Sequence, residues 1–205
     1  MSRPDLSSVI ASRVCHDLVS PIGAIVNGVD LIREIGGGDV ADELTMISQS
    51  AERASSLLQF YRIAFGAVDP QAAAIARSTL SDMATRLIAT QRVVLDWAGL
   101  DGTPLSRAEG RLLYQMLLCA KLIVGMRGVV QISMGDGQAI PIVVRVESGD
   151  GAPVNADLVK HYDLDHAADI PPRLIEFPLA AMSAQDLGLV LDVQTAGTQL
   201  TMTAH

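Results

Sequence analysis

The chain has 205 residues, room for one large domain or two small ones, and 49% are apolar, which excludes a disordered or low-complexity chain. A net charge of -8 repels phosphate backbones and argues against nucleic-acid binding. Cys15 and Cys119 stand alone, outside any CxxC pair, which gives no disulfide framework and no zinc site and fits a reducing compartment. Met1 to Asp5 lacks the pattern of a secretory signal, and no unbroken apolar run reaches the ~18 residues that span a bilayer. The expectation is a soluble, cytoplasmic protein without a membrane partner.

The first predicted element is a long helix. Pro4 and Asp5 precede it, and Ser7 or Ser8 can cap it. Its apolar positions run Ala11, Val14, Leu18, Ile22, Ile25, Val29 and Ile32, in steps of three and four. Gly36-Gly37-Gly38-Asp39 breaks the pattern, and Asp39 or Asp42 can cap the next helix. That helix carries Leu44, Ile47, Ala51, Ala54, Leu58, Tyr61 and Phe65 at the same spacing. Flanking apolar residues such as Ile10, Val26, Met46 and Leu57 widen both stripes beyond what one partner helix can cover. Two hairpins from two chains are therefore expected to form a four-helix bundle. The alternative is that the stripe packs on the chain's own second domain.

His16 lies two residues from both Val14 and Leu18, a turn of about 200°, so it points away from the seam. Ser20, four residues on, shares its face, and Pro21 should bend the helix just beyond. Cys15, His16 and Asp17 fan out around the helix and cannot converge on one ion, so no metal site is expected. His161, His166 and His205 sit in loop-like or terminal surroundings.

Val68-Asp69-Pro70 ends the second helix, which places a boundary between residues 1–67 and 68–205. Gln71 to Ala89 reads as helix, Arg92 to Trp97 as strand, and Ser106 can cap an apolar helix through about Val124. Strands Val129 to Met134 and Ile140 to Glu147 follow, joined by Gly135-Asp136-Gly137. Asn155 to Tyr162 reads as a short helix, and Pro171-Pro172 precedes another from Leu174 to Leu187. Leu189 to Thr195 and Gln199 to Thr203 close the chain as a hairpin around Ala196-Gly197. This order suggests an α+β fold with one mixed sheet and helices on one face.

His16-Asp17-Leu18-Val19-Ser20-Pro21-Ile22 resembles the H-box of sensor histidine kinases: a phosphoacceptor histidine, an acidic neighbour, a small hydroxyl residue four on, then proline. The hairpin around it resembles that family's dimerisation and phosphotransfer domain. The second half resembles, in element order, the GHKL-type two-layer ATP-binding sandwich. Its ligand motifs depart from that pattern. The long helix reads Leu117-Leu118-Cys119-Ala120-Lys121, without the asparagine that would hold Mg²⁺. Glu147-Ser148-Gly149-Asp150-Gly151 is a degenerate echo of the adenine-reading turn, and of the phosphate loop only Gly188 remains.

An intact H-box joined to an emptied kinase-like domain resembles the ChpT-type bacterial histidine phosphotransferases. That resemblance implies a phosphorelay: His16 takes a phosphoryl group from the receiver domain of a hybrid histidine kinase and passes it to a response regulator. The chain then needs no cofactor, because the partner receiver supplies Mg²⁺ and a lysine. Asp17 is the candidate to hold the other ring nitrogen, although neighbours along a helix do not usually face each other. Ser20 orients a water, lines the docking face, caps the helix beside Pro21 or is simply solvated. The docking face is expected to include Leu18, Pro21, Ile22, Asn27 and Arg53. The alternatives are a pseudokinase scaffold that binds regulators without moving phosphate, and a divergent ATP-dependent kinase.

Overall fold

The computed structural model describes residues 6–35, 38–69, 71–135, 142–149, 151, 153–154, 156–162 and 170–205. Pro4, Asp5, Gly36, Gly37, Pro70, the turn residues Asp136 and Gly137, Ile140, Asp150, Asn155 and His166 lie outside them.

Helices α1 (Ser7–Ile35) and α2 (Ala41–Ala64) form the expected hairpin, and the Asp39 carboxylate accepts from the Ala41 amide at 3.1 Å just before α2. The remaining helices are α3 (Arg77–Ile88), α4 (Arg107–Val124) and α5 (Glu176–Asp186). The strands are β1 (Val93–Ala98), β2 (Gly128–Met134), β3 (Ile142–Ser148), β4 (Leu191–Ala196) and β5 (Gln199–Ala204). Two 3₁₀ segments, Ala156–Tyr162 and Pro172–Leu174, come between β3 and α5.

The five strands make one sheet in the order β1-β2-β3-β5-β4, with β1 and β2 parallel and the other pairs antiparallel. Alternation along the strands sorts the two faces. Val130, Ile132, Val144, Val146, Leu200 and Met202 are buried, and they meet in register across β2, β3 and β5. Gln131, Arg145 and Glu147, one step out of phase, face solvent. Helix α4 lies over β2 and β3, with α5 beside it, which completes a two-layer α+β sandwich. The start of α4 is fixed by a capping box in which Ser106 and Glu109 bond each other's backbone amides.

One predicted helix is shorter than expected. Gln71 to Ala76 is not helical, because Ile75 is bridged to Leu105 by two backbone hydrogen bonds of 2.7 and 3.0 Å, and α3 begins only at Arg77.

The seams of the hairpin also differ from the expected ones. In α1 the buried residues are Pro21 and Gly28, while Ala11, Ile22 and Val29 are exposed. Gly28 sits so close to α2 that a Cβ there would lie 2.7 Å from Ile47 Cγ1. In α2 the buried set is Leu57, Phe60, Tyr61 and Ala64, and Leu58 is exposed. The reason is the second half of the chain: the Phe60 ring stacks on Tyr114 of α4 at 4.1 Å, and the Gln115 amide donates to the Ala64 carbonyl at 2.8 Å. One hydrophobic core therefore runs across the expected boundary at residue 67.

The N-terminal part of α1 is covered in the same way. Leu6, Val9 and Ile10 pack with Ile170, Leu174, Ile175 and Leu179, while Val14 and Leu18 lean on the main core. By length and mean hydropathy alone α1 would be long and apolar enough to cross a bilayer, although Arg13, His16, Asp17 and Asp30 interrupt it. In the fold it lies along α2 and against the segment leading into α5. The wide stripe is thus covered by the chain itself at one end only. At the other end Val19, Ile22, Val26, Leu31, Ile35 and Leu44 remain exposed.

Candidate functional site

Helix α1 runs through Pro21, which has no amide proton to give to the Asp17 carbonyl. One turn before it, the His16 side chain is 82% exposed, as its phase relative to Val14 and Leu18 requires. Ser20 is exposed on the same face, and so is Asn27, since eleven residues bring the helix back to about 20° from His16.

Asp17 makes the contact with its neighbour. Its Oδ1 lies 3.0 Å from His16 Nδ1. The same oxygen accepts from Arg13 Nη1 at 3.1 Å, and Oδ2 accepts from the Tyr61 hydroxyl of α2. Burial works to raise the Asp17 carboxyl, but the bonds from Tyr61 and His16 and the charges of Arg13 and Lys121 hold it below the usual range. Tyr61 is driven the other way, by burial and by Asp17 itself, so it stays a phenol and donates.

An ionised carboxylate is acceptor-only. Nδ1 must therefore carry the proton, which in the neutral ring leaves the lone pair on Nε2. The bond to Asp17 thus fixes the tautomer of the neutral ring and leaves Nε2 outside it.

The other side of the cluster belongs to the second half of the chain. Arg13 Nε donates to Glu176 Oε1 at 2.8 Å, at the first turn of α5. Burial opposes the charge of Arg13, and Glu176 and Asp17 more than offset it. A groove of about 410 Å³ opens beside the histidine, lined by Ser12, Arg13, His16, Pro171, Pro172 and Arg173.

Of the docking residues expected from the sequence, Ile22, Asn27 and Arg53 are exposed. Pro21 is buried, and Leu18 is half-buried where it packs on the main core, so neither is presented as openly as those three. Arg13, Tyr61 and Glu176 were missed. Arg13 had a signal, four residues before Asp17 and so on its face of the helix. Tyr61 was assigned to an apolar seam, and Glu176 is brought in only by tertiary packing.

On the sandwich itself, Cys119 of α4 is buried and pushed well up by desolvation, beside Tyr162. Tyr162 packs edge-on against the buried Phe177 ring at 4.9 Å and donates to Met202 Sδ at 2.8 Å. Helix α5 lies along α4, and the Ala156–Tyr162 segment packs on α5. Among the described residues no group of three His, Cys, Asp or Glu side chains is placed to hold a metal ion. Gly188, with φ +71°, ends α5 as a helix stop.

Residues 77–199 match the family model for the histidine phosphotransferase C-terminal domain. The chain is 32% identical to the protein phosphotransferase ChpT of Brucella abortus (strain 2308) over 216 residues, which covers 100% of this chain and 92% of that relative. A solved bacterial phosphotransferase superposes with a TM-score of 0.77 at 25% identity, over 100% of both chains. The histidine kinase domain of the Erythrobacter litoralis EL346 blue-light-activated kinase shares the fold, with a TM-score of 0.50 at 15% identity over 88% of this chain and 93% of that one. The chain belongs to the histidine phosphotransferase family. It is a phosphotransferase of the phosphorelay type, built on the architecture of a histidine kinase.

Proposed function

We propose that His16 is the phosphoacceptor and that the chain passes phosphoryl groups between aspartates of two receiver domains. The observation that carries this reading is the exposed ring with Nδ1 tied to Asp17. In the first step Nε2 attacks the phosphorus of an aspartyl phosphate in line. The N–P bond forms as the P–O bond breaks, and the donor leaves as a carboxylate. The proton stays on Nδ1, where Asp17 neutralises the cationic phosphoimidazole. The second step is the reverse, onto a new aspartate. Such transfers need mainly positioning and charge neutralisation.

The donor is the receiver of a hybrid histidine kinase and the acceptor is a response regulator. Both dock on the face carrying His16, Ser20 and Asn27, with Ile22 and Arg53 at its edges. The receiver brings the Mg²⁺ and lysine that offset charge on the phosphoryl group. This chain binds neither ATP nor metal: Cys119 stands buried on the helix where the kinase resemblance would put a metal ligand, and Tyr162 and Phe177 fill the space beside it.

The unit at work is a cytoplasmic homodimer. Val19, Val26 and Leu31 at the uncovered end of the hairpin are 69%, 53% and 45% exposed, and a second hairpin packed there closes a four-helix bundle. Residues 1–67 then serve as the dimerisation and phosphotransfer part, and residues 68–205 as its kinase-like buttress.

The test is incubation with a receiver domain phosphorylated by acetyl phosphate. Acid-labile label should appear on this chain and be absent from His16→Gln. Equal labelling of that variant, or labelling from ATP alone, overturns the reading.

A further inference from the structure

Arg13 bridges the two halves of the molecule at the site. Its Nε binds Glu176 Oε1 at 2.8 Å and its Nη1 binds Asp17 Oδ1 at 3.1 Å. Glu176 is 0% exposed, and its Oε2 has no hydrogen-bond partner among the described residues. Burial pushes this carboxyl up and Arg13 only partly restores it. A half-satisfied buried carboxylate is a poor device for stability, since an apolar side chain of similar volume does as well or better. What Glu176 does achieve is to fix a guanidinium. The planar fork of arginine can hold two carboxylates in a set geometry, which the point charge of lysine cannot.

We propose that Arg13 and Glu176 are positioning residues for His16: through them α5 sets the Asp17 carboxylate against ring Nδ1. The inference rests on the phosphorelay reading of His16 and adds a role for the second half of the chain. Freed from Glu176, Arg13 is held on α1 only by its own flexible stem, and its position over Asp17 Oδ1 is no longer fixed. Tyr61 still anchors Oδ2, so the carboxylate stays near the ring but is no longer held in one orientation. The fraction of rings poised with Nε2 as the free nucleophile then falls.

The experiment uses the full-length chain and a receiver domain phosphorylated by acetyl phosphate, with Arg13→Lys and Glu176→Gln made in the wild type and in Asp17→Ala. Each variant should lower the saturating transfer rate about fivefold, as expected when a reacting group is less well oriented. The half-saturating receiver concentration should stay within about twofold of the wild type, and in the Asp17→Ala background each variant should add less than about twofold, because the residue they act through is gone. Ring ¹⁵N shifts should move from one tautomer towards a mixture. The proposal is overturned by an unchanged saturating rate, by a raised half-saturation with the rate intact, or by the same fivefold loss without Asp17. If Glu176→Gln does not fold, Arg13→Lys decides. A wild type that accepts no phosphoryl group defeats the relay reading itself, which is a different result from a competent wild type with indifferent variants.

Discussion

Replacing Asp17 by asparagine and by alanine separates the charge of this side chain from its mere presence. In the native site Oδ1 faces two donors, His16 Nδ1 at 3.0 Å and Arg13 Nη1 at 3.1 Å. In Asp17→Asn the amide oxygen takes that place, since an NH₂ group there would meet both donors. The hydroxyl of Tyr61 then rotates to accept from the amide. The bond to the ring survives and its ionic part is lost. Hydrogen bonds to charged groups contribute about 1.5–3 kcal/mol against about 0.5–1.5 for neutral pairs. The ring is 82% exposed, so solvent screening favours the low end, about 1 kcal/mol. The bond matters most once the ring becomes cationic, so the loss falls on the transition state: about fivefold in transfer rate. Asp17→Ala removes the whole bond, about 2 kcal/mol or about thirtyfold. Rapid-quench measurement of label moving from a phosphorylated receiver, at saturating receiver, reads both. If the two variants are equally slow, or both match the wild type, the assignment of Asp17 as the partner of Nδ1 is wrong.

Other outcomes follow from the same packing and charges. A Cβ on Gly23 meets nothing within 4 Å, so Gly23→Ala should gain about 0.5–1 kcal/mol in urea unfolding; Gly28→Ala, whose Cβ would sit 2.7 Å from Ile47 Cγ1 and 3.0 Å from Met46 Cε, should lose about 1 kcal/mol net. A gain at both positions contradicts the packing of α1 on α2. Asp17 has a depressed carboxyl, so its share of the stability is present above its unfolded value of about 3.9 and is lost as pH falls through its lower folded value. The difference in unfolding free energy between wild type and Asp17→Asn should be full at pH 6 and shrink below about pH 4; a difference that widens on acidification reverses the sign of the argument. Light scattering should give about twice 21.7 kDa for the wild type and the single-chain mass for Ile22→Asp/Val26→Asp. A monomeric wild type removes the second hairpin.

How much of this was legible in the sequence depended on how local the cause was. The phase of His16 follows from its spacing to Val14 and Leu18, and the cap at Ser106 from Glu109 three residues on. The sheet came from alternation in β2, β3 and β5, which one buried face imposes. The seams failed for the opposite reason. Periodicity marks which residues are apolar, not which neighbour arrives to cover them. Leu57 and Phe60 outrank Leu58 only because Tyr114, more than fifty residues later, stacks there. Leu18 was assigned to a partner's docking face, and in the fold it leans on the chain's own main core. Arg13 was visible as an i, i+4 partner of Asp17. Glu176 carried no sign of its own, since its importance depends on α5 being laid beside α1.

The stacking of Phe60 on Tyr114 bears on how the protein can be taken apart. Because the aromatic pair and the Gln115–Ala64 bond tie the end of α2 into the sandwich, the hairpin is not a detachable cassette. A fragment ending near residue 67 would lay Leu57, Phe60 and Ala64 open to water, and its behaviour would report on that raw edge as much as on the histidine. Dissection of the site therefore belongs in a chain that keeps the sandwich attached.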